Sequence, residues 1–294
     1  MTIDIADVSS PVLVIGSVTW DLVDGERIAG GTASYIARTC DAVGVRARFL
    51  VPAGEDASLD AVSPHEVHRV PAQTQTFRHS FRGDERQLDL EQGSGHMLRV
   101  SDVPADWPAP STLLIAPLMP DDIEVTEFLD EWPAAEVGLL AQGLQRVQLP
   151  ESTAVANRAQ PSSVLLDAAR PNVTIFLSRE EVRTWPAGAV THLAARAARV
   201  VVTDGARGAV VHDRRGTHRI DAAPATVVDS TGAGDTFAAA FILGLRAGEQ
   251  YAGRLAAACA AAAVEVRGPA LLPSRSAIEA RLASAEASDG NTSA

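Results

Sequence analysis

Lysine is missing from this chain of 294 residues; all 25 of its Lys+Arg positions are arginine. A Walker A loop needs its Lys on the nucleotide phosphates, and pyridoxal or Schiff-base enzymes need a Lys amine, so none of these chemistries can operate here. Arginine is the only side chain left to neutralise a phosphate. Cysteine is almost as scarce. Cys40 and Cys259 are too few and too far apart for a disulfide framework or a zinc site, and each lies in an apolar stretch that reads as a buried thiol. A basic footprint is lacking as well. The net charge of −12 and pI near 5.0 argue against a nucleic acid or an acidic membrane as partner. No uncharged apolar run of membrane-spanning length occurs outside the Ala-rich C-terminal segments, and those carry Arg254, Glu265 and Arg267. The start of the sequence shows no basic segment followed by a long apolar one. These features lead us to expect a soluble protein of a reducing, cytoplasmic compartment. A dinucleotide fingerprint is also missing, since Gly16-Ser17-Val18-Thr19 has no GxGxxG spacing.

What the chain does have, at 46% hydrophobic residues, is enough apolar mass for a large core. Residues 11–16 form a short apolar run ending in Gly, as expected for a buried parallel strand. A helical pattern follows at 31–43, with Ile36, Cys40 and Val43 on one face, and then a strand at 46–51. Further strands are predicted at 113–116, 137–141, 164–166, 173–177 and 199–203, with helices at 121–130 and 191–197. Such alternation implies an α/β fold, a mostly parallel sheet covered by helices on both faces. Between 66 and 90 the pattern changes to period two, setting Thr74, Thr76, Arg78 and Ser80 against Gln75, Phe77, His79 and Phe81. A turn at 82–85 makes this a hairpin, and Asp24-Gly25 marks another at 20–28. Together they predict a small antiparallel β lid formed by about 20–30 and 66–100. A third hairpin is expected at 207–220. The organisation predicted is one domain over 1–282 and a disordered, small and polar tail at 283–294.

The most informative stretch is Val228-Asp229-Ser230-Thr231-Gly232-Ala233-Gly234-Asp235-Thr236-Phe237. It ends a β-rich run at 225–228 and opens an apolar helical run. Two glycines one residue apart let the backbone turn tightly and leave its N–H groups open at a helix start, where an anion is attracted. Asp235 sits in the same turn. An acid beside an anion hole suits transfer of a phosphoryl group to an alcohol, with the acid taking the hydroxyl proton. The amides of Gly232, Ala233 and Gly234 would hold the charge on the phosphoryl oxygens. A bare GxGD can equally be a plain tight turn with a first-turn acid.

The ten-residue string resembles the C-terminal signature of the ribokinase-like (PfkB) carbohydrate kinases. That resemblance implies a three-layer α/β/α fold with a β lid, ATP and Mg2+ as cofactors with K+ left open, and Asp235 as general base. Gly30 and Gly31 stand where the family brings backbone close to the sugar. Tyr35 replaces the Asn common there, and GGTASYIA is similar to the myo-inositol (cyclitol) kinase branch. Asp21 matches the family's acid on substrate hydroxyls, near the C-terminal end of the first strand. Thr203, Gly205 and Gly208 match the segment under the nucleotide. Glu181 matches the acid of an Asn-x-x-Glu motif that organises magnesium through water, with Ser178 in place of the Asn; a helix cap reads the same way. Arg146 is a candidate for the phosphates, and Thr76, Arg78 and Arg86 of the lid are candidates for substrate contact. His65, His68, His212 and His218 read as surface or pairing residues, and Asp121-Asp122 as a helix start.

The reaction implied is ATP-dependent phosphorylation of a sugar or cyclitol hydroxyl. A nucleoside kinase would need an aromatic, base-stacking lid, whereas the lid reads as rich in Thr, Gln and Arg. An inactive scaffold of the same fold would usually lack the acid that Asp235 supplies. A homodimer through the lid is compatible with its exposed strands.

Overall fold

The computed structural model describes residues 11–82, 85–269 and 274–290. The chain opens with β1 (Val12–Gly16), the hairpin β2 (Thr19–Val23) and β3 (Glu26–Gly30), helix α1 (Thr32–Val43) and β4 (Arg48–Ala53). Next come β5 (Glu66–Pro71) and the long hairpin β6 (Gln75–Arg82) and β7 (Glu85–Gln92). β8 (Thr112–Ala116), α2 (Val125–Glu131) and β9 (Glu136–Leu140) follow, then β10 (Arg146–Gln148), β11 (Ala154–Asn157) and α3 (Ser163–Ala168). β12 (Val173–Ser178), α4 (Arg179–Val182), α5 (Ala189–Ala194) and β13 (Arg199–Thr203) lead to the hairpin β14 (Ala209–Asp213) and β15 (Gly216–Ile220). The last helices are α6 (Ala233–Gly244), α7 (Glu249–Ala263) and α8 (Arg275–Gly290).

Strands β13-β12-β9-β8-β1-β4-β5 lie side by side in parallel, and β14 and β15 extend that sheet antiparallel at one edge. Both faces are covered, as the unbroken apolar strands require. Val12 and Val14 of β1 join a core with Ile36, Phe241, Leu255 and Ile278 from α1, α6, α7 and α8. Leu13 and Ile15 point the other way, into a core with Phe128, Leu165 and Leu193 from α2, α3 and α5. Helix α6 is buried from Thr236 to Gly244, which explains why its sequence lacks a polar face. The fold is the three-layer ribokinase-like α/β arrangement.

The lid is a six-stranded sheet in the order β10-β11-β7-β6-β2-β3. The β2–β3 hairpin turns at Asp24 (φ 52°) and Gly25 (φ 83°), the left-handed pair that a two-residue turn demands. β2 pairs with β6 in parallel, so the two hairpins join as expected. The lid boundaries differ from the sequence reading. β5 belongs to the main sheet, in parallel with β4, while β10 and β11 enter the lid through β7. Strands as short as these two carry no readable alternation.

Four local expectations change. Residues 163–168 form α3, not a strand, because Ser162 caps the segment by accepting the Leu165 N–H at 3.2 Å. Residues 225–228 are irregular, since the Val228 N–H donates to the Val264 carbonyl (2.7 Å) and no strand lies alongside. Helix α2 starts at Val125, after Asp122 has closed a turn of its own. Helix α8 runs to Gly290, into the segment 283–294 expected to be disordered. The expected turn at 82–85 and the Arg86 side chain lie in part outside the described residues.

Candidate active site

A cavity of about 410 Å3 lies between the C-terminal ends of the parallel strands and the lid, lined by Leu140, Ser178 and Thr203 at those ends. Asp21, Gly31, Tyr35, Arg146, Glu181, Gly232, Gly234 and Asp235 also line it. Segments far apart in sequence thus converge on one hollow.

Its floor is the signature turn. Gly232 is the N-cap of α6 with φ 76°, a left-handed conformation that a Cβ would strain, and an added methyl would fall 2.2–2.3 Å from carbons of the Tyr35 ring. The first helical bond runs from the Thr236 N–H to the Gly232 carbonyl at 2.9 Å. The amides of Gly234 and Asp235 precede that bond and face no helical acceptor. The Ala233 N–H differs, donating to the Ser230 carbonyl at 3.3 Å, and Ala233 is not among the lining residues. The open amides of this helix start are therefore those of Gly234 and Asp235, at the positive end of the helix dipole. Asp229 ties the turn down, accepting the N–H groups of Thr231 (2.9 Å) and Gly268 (3.3 Å). Ser230 and Thr231 complete the rim.

Withdrawal from water pushes the Asp235 carboxyl from its ordinary 3.8 up to about 7; the Arg146 cation opposes the rise, and Glu181 and Asp21 add to it. A carboxylate titrating near neutrality is matched to general-base work. Arg146 reaches this position from β10. Its Nη1 donates to the Leu118 carbonyl at 3.0 Å, and its guanidinium lies 5.6 Å from the centre of the Phe77 ring.

The glycine pair explains how Asp21 and α1 come together. A Cβ on Gly30 would meet Asp21 Oδ2 at 2.5 Å, and one on Gly31 (φ 93°) would meet the Ser17 carbonyl at 2.2 Å. Both positions let α1 start hard against the β1–β2 link, where the Ala33 N–H donates to Ser17 O at 3.1 Å. Asp21 Oδ1 accepts the Thr19 hydroxyl at 3.2 Å and lies 3.6 Å from His79 Nε2.

On the lid, the face presented to the cavity is the reverse of the one expected. Phe77 and His79 of β6, Leu88 of β7, and Val155 and Asn157 of β11 line the hollow. Thr76 and Arg78 do not. Thr76 donates to the Thr74 carbonyl at 3.2 Å, and the exposed Arg78 pairs with Glu91 at 2.6 Å. Successive residues on a strand face opposite ways, so choosing the wrong phase moves every side chain at once. Phe77 also packs with Leu118 and Met119, against Leu88, Leu90 and Val155. Aromatic and branched residues on one face of β6 and β7 were the available signal.

Glu181 serves two readings. It is 4% exposed, caps α4 by accepting the Ser178 N–H (2.8 Å), and lines the cavity beside Glu180 and Gln142. Burial holds its carboxyl above the ordinary range, against the pull of Ser178, Arg146 and Gln142. Thr203 lines the hollow, but Gly205 and Gly208 lie in the turn beyond it, where Asp204 pairs with Arg207 at 2.7 Å. Gly208 (φ 80°) is needed there, because a Cβ would meet the Ile220 carbonyl at 2.1 Å. His65 Nε2 donates to the Ala37 carbonyl (3.1 Å), buried against α1, while Cys40 and Cys259 are buried thiols. No described helix is long and apolar enough to cross a membrane.

A ribokinase-like sheet with a glycine–acid turn beneath a β lid defines the class. Residues 163–275 match the pfkB family carbohydrate kinases. That stretch includes the signature turn at 232–235. It is 28% identical over 271 residues to a bifunctional HldE protein of Rhodopseudomonas palustris, covering 83% of this chain and 53% of the relative. The chain thus spans about half the length of the curated relatives that it matches over most of its own. A shorter stretch of 47 residues is 51% identical to a ribokinase of Lactococcus lactis, 16% of each chain. Among solved structures, a pyrophosphate-dependent myo-inositol-1 kinase converted into a myo-inositol-3 kinase superposes with TM-score 0.73 at 19% identity, over 93% of this chain and 99% of that one. Arabidopsis thaliana ribokinase complexed with ribose and ATP gives 0.67 at 18%, over 93% and 98%. Burkholderia thailandensis nucleoside kinase in complex with inosine gives 0.70 at 22%, over 93% and 98%.

Proposed function

We propose that the protein transfers a phosphoryl group from ATP to a hydroxyl of a small, neutral sugar or polyol, with myo-inositol-like cyclitols as the first candidates. One observation carries this reading: a carboxyl titrating near 7 beside the open amides of a left-handed helix start, within a lidded cavity. Asp21 accepts hydrogen bonds from substrate hydroxyls and places one of them toward Asp235. Asp235 takes its proton as the bond to phosphorus forms. The turn at 232–234 and Arg146 hold the charge spread over the phosphoryl oxygens, in a site from which the lid excludes water.

The donor set of Glu180 and Glu181 consists of hard oxygens, which suits Mg2+. Glu181 is already committed to the Ser178 amide, so it would hold the ion through water. An ion held there would supply positive charge against the phosphates. Four acids (Asp21, Glu180, Glu181, Asp235) face one Arg and one His around the cavity, a balance that favours a neutral acceptor over a sugar phosphate.

The apolar flank of Phe77, Leu88, Val155 and Leu118 supports a second reading, a nucleoside acceptor whose base lies against that wall. A coupled ADP-release screen over cyclitols, sugars, sugar phosphates and nucleosides decides between them, repeated with pyrophosphate as donor. Turnover on cyclitols or free sugars supports the first reading, and turnover on nucleosides alone replaces it with the second. No turnover with any pair ends the kinase assignment.

A further inference from the structure

Asp122 is the least expected acid in the molecule. It is 3% exposed. Its Oδ2 accepts two backbone amides, Leu118 N–H at 2.9 Å and Met119 N–H at 2.8 Å. Both oxygens also accept the Gln75 amide, at 3.1 and 3.3 Å, and Gln75 is the first residue of lid strand β6. The turn so fixed has one outward carbonyl with a partner in the cavity: Leu118 O receives Arg146 Nη1 at 3.0 Å. A continuous chain of contacts therefore runs from the lid base through Asp122 and Leu118 to the guanidinium near Asp235.

We propose that Asp122 is a positioning residue of the active site, setting the Leu118 carbonyl that aims Arg146 across the cavity. The reading rests on the kinase assignment for its purpose but not for its geometry. Burying a carboxylate is unfavourable unless it is hydrogen-bonded, and a capped turn alone would be served by a neutral side chain. A charged acceptor stiffens the turn more strongly than a neutral one, since its hydrogen bonds are shorter and stronger. Stiffness matters at Leu118 because a guanidinium that drifts by an ångström loses much of its effect on a nearby charge. Among the described residues, the charged groups acting on Asp235 are Arg146 from β10, Glu181 from α4 and Asp21 from β2, and the one acting on Asp122 is Arg146.

The test follows the Asp235 carboxyl by carbon-13 NMR across pH, its signal assigned by its loss in Asp235→Asn. Turnover is not required, so an inactive wild type would sink the kinase assignment and leave this inference standing or falling by itself. Arg146→Met should raise the Asp235 midpoint, and Asp122→Asn should raise it by about half a pH unit or more. The double variant should titrate like Arg146→Met alone, because both changes remove one interaction. Gln75→Leu should lower the melting temperature yet leave the midpoint in place. Should Asp122→Asn fail to fold, Asp122→Ser, which keeps a neutral acceptor for the amides, is titrated in its place with the same expectation. An unmoved midpoint in the folded Asp122 variant, or additive shifts in the double variant, would overturn the inference.

Discussion

The signature turn and the lid are both built from short polar-looking sequence, yet only in the first could the residues that face the cavity be told from the sequence. In the turn, each residue type has one workable backbone role. Gly232 must adopt φ 76° against the Tyr35 ring, and Asp235 must follow in the first turn of α6. Sequence and geometry are locked together. In β6 either face of the strand could serve the cavity, because Thr76 and Arg78 alternate with Phe77 and His79. What decides is burial of Phe77 against Leu118 and Met119, a contact across 40 or so residues that no local pattern encodes. Turns are specified by conformation, strands by their neighbours.

The largest effect should come from the turn. Asp235→Asn should lower kcat by about 100-fold or more while ADP binding, measured by calorimetry, stays near wild type. Unchanged turnover would separate the carboxyl from the chemistry and leave the glycines a plain turn. Gly232→Ala should come next, at least tenfold in kcat. A left-handed non-glycine residue costs roughly 1–2 kcal/mol, and here the methyl must also displace the Tyr35 ring. If that variant kept full activity, the turn would be less rigid than its contacts indicate.

The lid yields a smaller but sharper contrast. Phe77→Leu keeps an apolar side chain but loses the ring under Arg146, worth about 0.5–1 kcal/mol, so KM for the acceptor should rise two- to fivefold. Arg78→Gln, on the far face of the same strand, should change KM by less than about twofold, its exposed pair with Glu91 contributing little. The reverse ranking would restore the phase read from the sequence.

Much of the fold was legible because buried parallel strands advertise themselves. Val12–Gly16, Thr112–Ala116, Val173–Ser178 and Arg199–Thr203 are apolar runs of strand length bounded by turn residues. The same logic fails at Ser163–Ala168, where an apolar run of equal length is a helix because Ser162 caps it. Around the cavity, Tyr35, Arg146, Glu181 and Asp235 could be named in advance, since each stands at a strand start or in the first turn of a helix, and Asp21 through the family resemblance. His79, Asn157 and Asp122 could not. Asn157 arrives on a strand of four residues, and Asp122 acts through Gln75 and Leu118, on elements distant in sequence.

The last contrast concerns stability and tests the turn by sign alone. Desolvation raises the Asp235 carboxyl to about 7 in the folded chain, whereas an unfolded chain leaves it near 3.8. Between those values the folded state holds more protons than the unfolded one, so stability falls as pH rises. Above about 7 both states are ionised and the loss is complete. Asp235→Asn removes the titrating group, so at pH 8 it should melt at a higher temperature than wild type and show a flatter dependence of melting temperature on pH between 5 and 7. Activity should run the opposite way in the wild type, with kcat falling toward acid as the base becomes protonated. A site that is more stable without its carboxylate, and inactive without it, is holding strain for chemistry. Equal melting curves for the two proteins from pH 5 to 8 would mean that Asp235 is well solvated, and the match between its titration and its role as base would be lost.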